Sequence, residues 1–408
     1  MKPKRQKPND DHVQEDRLSN LPDSILHHIL SFVDTDCAVQ TCILSTRWKN
    51  LWKHLSTLTL NSSGFNNHKN FTKFVSRILS LREVSTALHS LDFEHNGITE
   101  PRLLKRIVNY AISHNVQRLR INIRCQFQYF PTCVFSCRTL TSLDLFVGHP
   151  TIHKLLLFPN SLDLPALTSL SLKSFTFCVG DDGCVDPFST LNSLNSLIIR
   201  HCSVRDRDAH NFCISSATLV NLTMESFDYC KVELSTPSLC TFVFNCIGSV
   251  PALCRSKSNL SSVKHVNIDV LVNCTTEVSL TLLSWLVELV NIKSLMITSC
   301  TLKVLSFLPD LLKIEFCSLC NLKLLKLKAC IGLPLSIPNG ALYFLLQNSP
   351  SAKVLSWIPE LLKVEFRSLC NLKLLKLKPR GGLPVSIPNG ALYFLIQNSP
   401  SAKVEIIR

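Results

Sequence analysis

Leu140-Thr141-Ser142-Leu143-Asp144-Leu145, Leu167-Thr168-Ser169-Leu170-Ser171-Leu172 and Leu194-Asn195-Ser196-Leu197-Ile198-Ile199 are three copies of one template, with starts 27 residues apart. Each puts apolar side chains at offsets 1, 4 and 6. Alternation over the last offsets is the pattern of a strand with one buried face. A strand so short cannot bury that face alone, so the template predicts a stack of similar units sharing one core.

Worked outward, the template recurs through nearly the whole chain. It is met at Leu55/Leu58/Leu60, Leu88/Leu91/Phe93 and Val116/Leu119/Ile121 before the three copies. After them it continues at Leu219/Leu222/Met224, Leu239/Phe242/Phe244, Val263/Val266/Ile268, Ile292/Leu295/Ile297, Leu322/Leu325/Leu327 and Leu372/Leu375/Leu377. From Leu88 to Leu322 the starts lie 28, 24, 27, 27, 25, 20, 24, 29 and 30 residues apart. That is the leucine-rich-repeat period, loosely kept. Asn96, Cys202 and Cys300 supply the consensus Asn or Cys at offset 9, while Phe175 and Phe227 depart from it.

The expected fold is therefore α/β, an irregular leucine-rich-repeat solenoid with a parallel sheet on its concave face. Phe71, Phe74, Val75, Ile78 and Leu79, or Leu103, Leu104, Ile107 and Val108, have helical spacing and predict helical return segments. Residues between the inward leucines point to the concave face. Arg118, Arg120, Asp144, Phe146, Lys173, Arg200, Glu225 and His265 are its chemically distinctive members and the candidates for binding a target protein.

Composition agrees with one long array. Leucine fills 69 of 408 positions, 46% of residues are hydrophobic and 18% are charged, which excludes wholesale disorder and a collagen-like fibre. No apolar run reaches membrane-spanning length, and Met1 to Lys7 lead into Asp10 and Asp11 with no hydrophobic stretch. A soluble protein of the cytoplasm or nucleus is expected. The 19 cysteines are odd in number and form no framework, so they read as small apolar side chains in a reducing compartment. Cys317 and Cys320 make one CxxC, but the near-copy has Arg367 and Cys370; His201, Cys202, His210 and Cys213 match no zinc spacing. No metal or cofactor is expected.

The segment from Asp16 to Leu55 has a different pattern. Ile25, Leu26, Ile29, Leu30 and Val33 follow Leu21-Pro22 on one helical stripe. Thr35 or Asp36 can cap a second helix carrying Val39, Cys42 and Ile43. Ser45 or Thr46 can cap a third, with Trp48, Leu51, Trp52 and Leu55 at i, i+3, i+4 and i+7. Three short helices bury too little to stand alone, and their apolar faces need a partner.

Asp16-Arg17-Leu18-Ser19-Asn20-Leu21-Pro22-Asp23-Ser24-Ile25-Leu26-His27-His28-Ile29-Leu30-Ser31-Phe32, followed by Leu44-Ser45-Thr46-Arg47-Trp48-Lys49-Asn50-Leu51-Trp52, resembles an F-box, in particular that of the plant F-box/leucine-rich-repeat/FBD family. The resemblance implies docking on a Skp-type adaptor that tethers the chain to a cullin and a RING protein. Carried over by position, Leu21, Pro22, Ile25, Ile29, Leu30, Val39, Ile43, Leu44 and Trp48 would form the adaptor-binding surface.

Residues 303–352 and 353–402 align without a gap and are identical at 40 of 50 positions. Their shared Cys-Asn-Leu-Lys-Leu-Leu-Lys-Leu-Lys and Ser-Ile-Pro-Asn-Gly-Ala-Leu-Tyr-Phe-Leu strings resemble the FBD segment that closes this family, here in tandem. Asn339-Gly340 and Asn389-Gly390 predict turns before helices over Ala341 to Leu346 and Ala391 to Ile396. From 303 to 408 there are 14 Lys+Arg against 5 Asp+Glu, so +9 of the net +14 lies in this duplicated end. The expected organisation is a polar tail over 1–15, an F-box over 16–55, repeats over 56–302, and FBD-like units over 303–352 and 353–408.

The basic charge invites nucleic acid, but it is spread along strands with few aromatics and no nucleic-acid-binding motif. A secreted repeat protein would use Asn221-Leu222-Thr223 and Asn259-Leu260-Ser261 as sequons, and the N-terminus argues against secretion. No Gly-rich phosphate loop, nucleophile elbow or HExxH helix is present, and Asp181, Asp182 and Asp186 lack calcium-loop spacing. The expected function is that of a non-catalytic, substrate-recognition subunit of a cullin–RING ubiquitin ligase, which acts by proximity. The alternative is a repeat scaffold outside any ligase.

Overall fold

The computed structural model describes residues 18, 20–83, 85–150, 155–159, 162–178, 185–205, 211–226, 231–248, 250–254, 260–308, 311, 319–328, 339–349, 352–356, 374–377 and 403–406. The tail 1–15, His210, Cys317, Cys370, Asp181, Asp182 and Asn389-Gly390 lie outside them.

Helix α1 (Asp23–Leu30) starts after Pro22, whose φ of −58° suits a helix entry. It turns Leu26 and Leu30 inward. Helix α2 (Thr35–Gln40) starts at its expected cap residue and has Asp34 at the N-cap position one residue earlier, so that Thr35 lies buried in its first turn. The Thr35 hydroxyl instead accepts the Thr59 N–H at 2.9 Å, which ties the helical segment to the first strand. The third expected helix is a 3-10 segment, Trp48–His54, preceded by Arg47 and not by a capping Ser or Thr. Its tighter winding lines residues up at i and i+3, which drives Trp48 and Leu51 together into the core.

The repeats then build one sheet of fourteen parallel strands among the described residues. They are Thr57–Asn61, Ser90–Ile98, Arg118–Arg124, Ser142–Gly148, Ser169–Lys173, Ser196–Arg200, Asn221–Glu225, Thr241–Gly248, His265–Val272, Ser294–Thr298, Leu324–Lys328, Lys353–Ser356, Leu374–Leu377 and Lys403–Ile406. Their register follows the template, with Leu119 opposite Leu143, Leu143 opposite Leu170, and Leu170 opposite Leu197. These leucines are buried to within 2% of complete, and each contributes about 1.5–3 kcal/mol of apolar burial.

Return segments differ along the array. Helices α3 (His68–Leu81) and α4 (Pro101–Ser113) bury the expected stripes, Phe71, Val75, Ile78 and Leu79 in one and Leu103, Leu104, Ile107 and Val108 in the other. In the middle the returns are short strands: Leu156–Leu157, Phe175–Phe177 and Ser203–Val204 pair in one small parallel sheet, and Asn211–Ser215 with Lys231–Ser235 in another. Helices resume as α5 (Thr276–Glu288), α6 (Ser299–Leu305) and α7 (Asn339–Asn348). The duplication yields two pairs of sheet strands that start fifty residues apart, Leu324–Lys328 with Leu374–Leu377 and Lys353–Ser356 with Lys403–Ile406, of which the template marked only the first pair. Asn339-Gly340 does not form the expected turn; the two residues open α7, and Gly248 is the one described glycine with positive φ.

Cys202, at offset 9, is buried at 1% exposure, and burial pushes its thiol up to about 12. Cys300, at the same offset, departs from the free-thiol expectation because it is disulfide-bonded. Among the described residues no group of three or more His, Cys, Asp or Glu side chains is placed to hold a metal ion. No described helix is long and apolar enough to cross a membrane.

Candidate functional site

Two surfaces take shape from these elements. The first belongs to the helical segment. Of the seventeen large apolar side chains exposed among the described residues, Leu18, Ile25, Ile29, Phe32, Val33, Ile43 and Leu44 are seven. They fall within 27 of the 408 residues, so the exposure is concentrated and not the scattered background of a soluble surface. Helical geometry explains the division: Leu26 and Leu30 face the core on one stripe of α1, which leaves Ile25 and Ile29, one turn apart, on the other. Ile43 is the most exposed, at 88%, at the end of a single 3-10 turn.

The candidate adaptor-binding residues divide by burial. Pro22, Ile25, Ile29, Ile43 and Leu44 are exposed, and Leu21 and Val39 are half-buried. Leu30 and Trp48, at 2% and 5%, are enclosed in the chain's own core and underpin the surface from beneath. Leu18, Phe32 and Val33 belong to the exposed group as well, although they were not among the candidate adaptor-binding residues. Their signal was present in the sequence, Leu18 and Phe32 in the F-box-like string and Val33 on the apolar stripe that follows Leu21-Pro22.

Arg47 fastens the entrance to α1. Its Nε and Nη2 donate to Asp23 Oδ1 at 2.9 and 2.6 Å, and Nη2 also donates to the Leu21 carbonyl. The Leu21-Pro22 corner is thereby held beside Trp48, the residue after Arg47.

The second surface is the outward face of the sheet, where the parallel register turns isolated residues into rows. Asp92, Arg120 and Asp144 are consecutive in one row, and Arg120 bridges both acids at 3.1 and 3.4 Å. Burial raises the Asp92 carboxyl pKa, with Arg120 opposing, and the same acids raise Arg120. In the next row Phe146, Lys173, Arg200 and Glu225 are adjacent. The Lys173 ammonium lies 4.4 Å from the centre of the Phe146 ring, and Arg200 Nε donates to Glu225 at 3.0 Å. Arg118 donates to the His89 ring at 3.2 Å, and His265 stands exposed several strands away, opposite Thr241. Seven of the eight candidates thus join local pairs, and His265 is apart from them. Asp92 and His89 were missed, although Asp92 occupies the same offset in its repeat as Arg120 and Asp144.

The structure therefore joins an exposed, apolar three-element helical unit to a parallel repeat sheet. The F-box domain model matches residues 18–59. The chain is similar to F-box/FBD/leucine-rich-repeat proteins of Arabidopsis thaliana. An FBD-associated F-box protein is 32% identical over 40% of this chain and 34% of its own length. An F-box/FBD/LRR-repeat protein is 26% identical over 62% of this chain and 56% of its own. An F-box/LRR-repeat protein is 26% identical over 73% and 82% respectively. The chain thus spans about a third and about half of the length of the first two.

Proposed function

We propose that this chain is the non-catalytic substrate-recognition subunit of a cullin–RING ubiquitin ligase. F-box domains bind Skp-type adaptors, and here Pro22, Ile25, Ile29, Ile43 and Leu44, widened by Leu18, Phe32 and Val33, would dock the adaptor, which in turn holds the cullin and the RING protein. The repeats would hold a target protein near the transfer centre, raising its effective concentration without chemistry of their own.

The observation that carries the reading is the concentration of exposed apolar side chains in the F-box, a surface whose burial needs a partner. The sheet face supports a protein target and not nucleic acid, because Arg120 and Arg200 are neutralised by Asp92, Asp144 and Glu225. The cytoplasm or nucleus is part of the proposal, supported by the buried thiols of Cys125, Cys137 and Cys202 packed as small apolar groups.

Co-expression with a Skp-type adaptor tests it. Wild type should co-purify with the adaptor, and Ile29→Glu/Ile43→Glu should not, with an unchanged melting temperature because both side chains are exposed. A wild-type chain that binds no adaptor would overturn the function; a double variant that still binds would overturn the surface.

A further inference from the structure

The outer surface has a step where the helical returns end. Helix α4 is followed by a return built from two 3-10 turns, Phe127–Tyr129 and Thr132–Ser136, with Pro131 between them. A 3-10 turn flanks less of a neighbouring helix than another α-helix would, and α4 is left with an uncovered side. There a solvent-open cleft of about 440 Å³ runs between α4 and residues 128–133. That volume lies within the range of binding pockets, roughly 300–1,000 Å³.

The chemistry of the two walls differs. On the α4 wall Arg102 and Lys105 stand one turn apart, both exposed, and neither forms an ion pair among the described residues. Arg106, the third outward cation of this helix, is already engaged, with its Nη2 donating to the Ser76 carbonyl at 3.0 Å. On the opposite wall the Tyr129 ring is 46% exposed, and Phe130 beside it is buried. Cys133 closes one end, its thiol 4.0 Å from Asn109 Oδ1.

We propose that this cleft docks an acidic peptide segment of a partner protein, its carboxylates meeting Arg102 and Lys105 and an adjacent apolar side chain lying against Tyr129 and Phe130. Two uncommitted cations over an apolar wall match an acidic and apolar peptide; a polyanion such as nucleic acid needs a longer basic track. The occupant is distinct from the adaptor and from a target on the sheet, since the cleft shares no residue with the exposed F-box group or with the sheet rows.

The test uses the full chain and fluorescein-labelled short peptides with a central Phe or Leu flanked by Asp and Glu, compared with the same peptides flanked by Lys. Acidic peptides should raise anisotropy, and the lysine set should not. Bound peptide should slow iodoacetamide modification of Cys133 several-fold, read by peptide mass mapping, while leaving Cys37 unchanged. Arg102→Glu/Lys105→Glu should weaken binding by about tenfold or more, with the melting temperature intact because both side chains are exposed. Absence of binding by every acidic peptide, equal binding of the lysine set, an unprotected Cys133, or an unaffected double variant would each overturn the proposal.

Discussion

Arg82 is a buried arginine at 3% exposure in the joint between the F-box and the first repeats, and its replacement by methionine is the most informative single perturbation. The guanidinium makes five hydrogen bonds to four acceptors: Nε and Nη2 to the Leu55 carbonyl at 3.1 and 2.6 Å, Nη1 to Thr86 O and Tyr110 Oη at 3.1 and 2.9 Å, and Nη2 to Ala87 O at 3.2 Å. Leu55 ends the last F-box element, and Tyr110 lies on α4. Methionine keeps much of the stem but leaves these acceptors without their charged donor, several of them away from water. Hydrogen bonds to charged groups contribute about 1.5–3 kcal/mol each, but they are not additive, and part of the loss is offset by no longer burying a charge. A net cost of about 3 kcal/mol follows, a large share of the roughly 5–15 kcal/mol available to a folded domain. Because solenoids open by parts, the assay is native-state hydrogen exchange. The reporters are the amides that cross this joint, Glu83 N–H to Lys53 O and His89 N–H to Ser56 O. Exchange there should accelerate by about a hundredfold in Arg82→Met, and by less in Arg82→Lys, which keeps the charge but not the fork. An acceleration below about fivefold would refute the assignment of Arg82 as the joint's fastener.

Three further outcomes can be checked. His95 is buried, bonded to Thr99 Oγ1 and His68 Nδ1 at 2.9 Å each, and burial, reinforced by His68, pushes its pKa down to about 4. A folded value below the unfolded one of about 6.5 makes its contribution complete above pH 6.5 and lost as pH falls toward 4, by up to about 3 kcal/mol; melting temperature against pH should show that decline, reduced in His95→Gln. Trp285 stacks on Phe242 and Phe244 at 5.5 and 5.6 Å and donates to the Pro251 carbonyl at 2.9 Å, so Trp285→Ala should lower stability by about 3–5 kcal/mol in urea unfolding. At Gly97 a Cβ would lie 2.3 Å from the His68 ring, so Gly97→Ala should displace that ring from His95 and cost about 1–2 kcal/mol by the same measurement.

The repeat strands were legible because their burial pattern is local. Leu143 and Leu145, two residues apart, must share a face of any strand, and the structure buries both. Return segments were legible where an amphipathic stripe was long enough, as in α3 and α4. They were not where Phe175-Thr176-Phe177 sits, since three residues fit several conformations and only the neighbouring Leu156–Leu157 and Ser203–Val204 make a strand of them. The capping of α2 failed for a related reason: Thr35 looks like a local cap, yet its hydroxyl is taken by Thr59, 24 residues away. Arg82 carried no sequence signal at all, because four acceptors from separate segments converge on it only after folding.

By itself the sequence determined the class of fold, the inward leucines, the F-box string and the duplicated end. These are periodic or contiguous features, and side-chain alternation converts them directly into a buried and an exposed face. Tertiary structure alone decided which F-box residues remain outside, with Ile25 and Ile43 free and Leu30 and Trp48 enclosed. It also decided which charges on the sheet meet, joining Arg120 to Asp92 and Asp144 across neighbouring repeats, and where α4 is left with an open cleft. The physical reason is the range of the interactions: one strand or helix suffices to orient a side chain, but a partner's identity depends on how separate repeats stack.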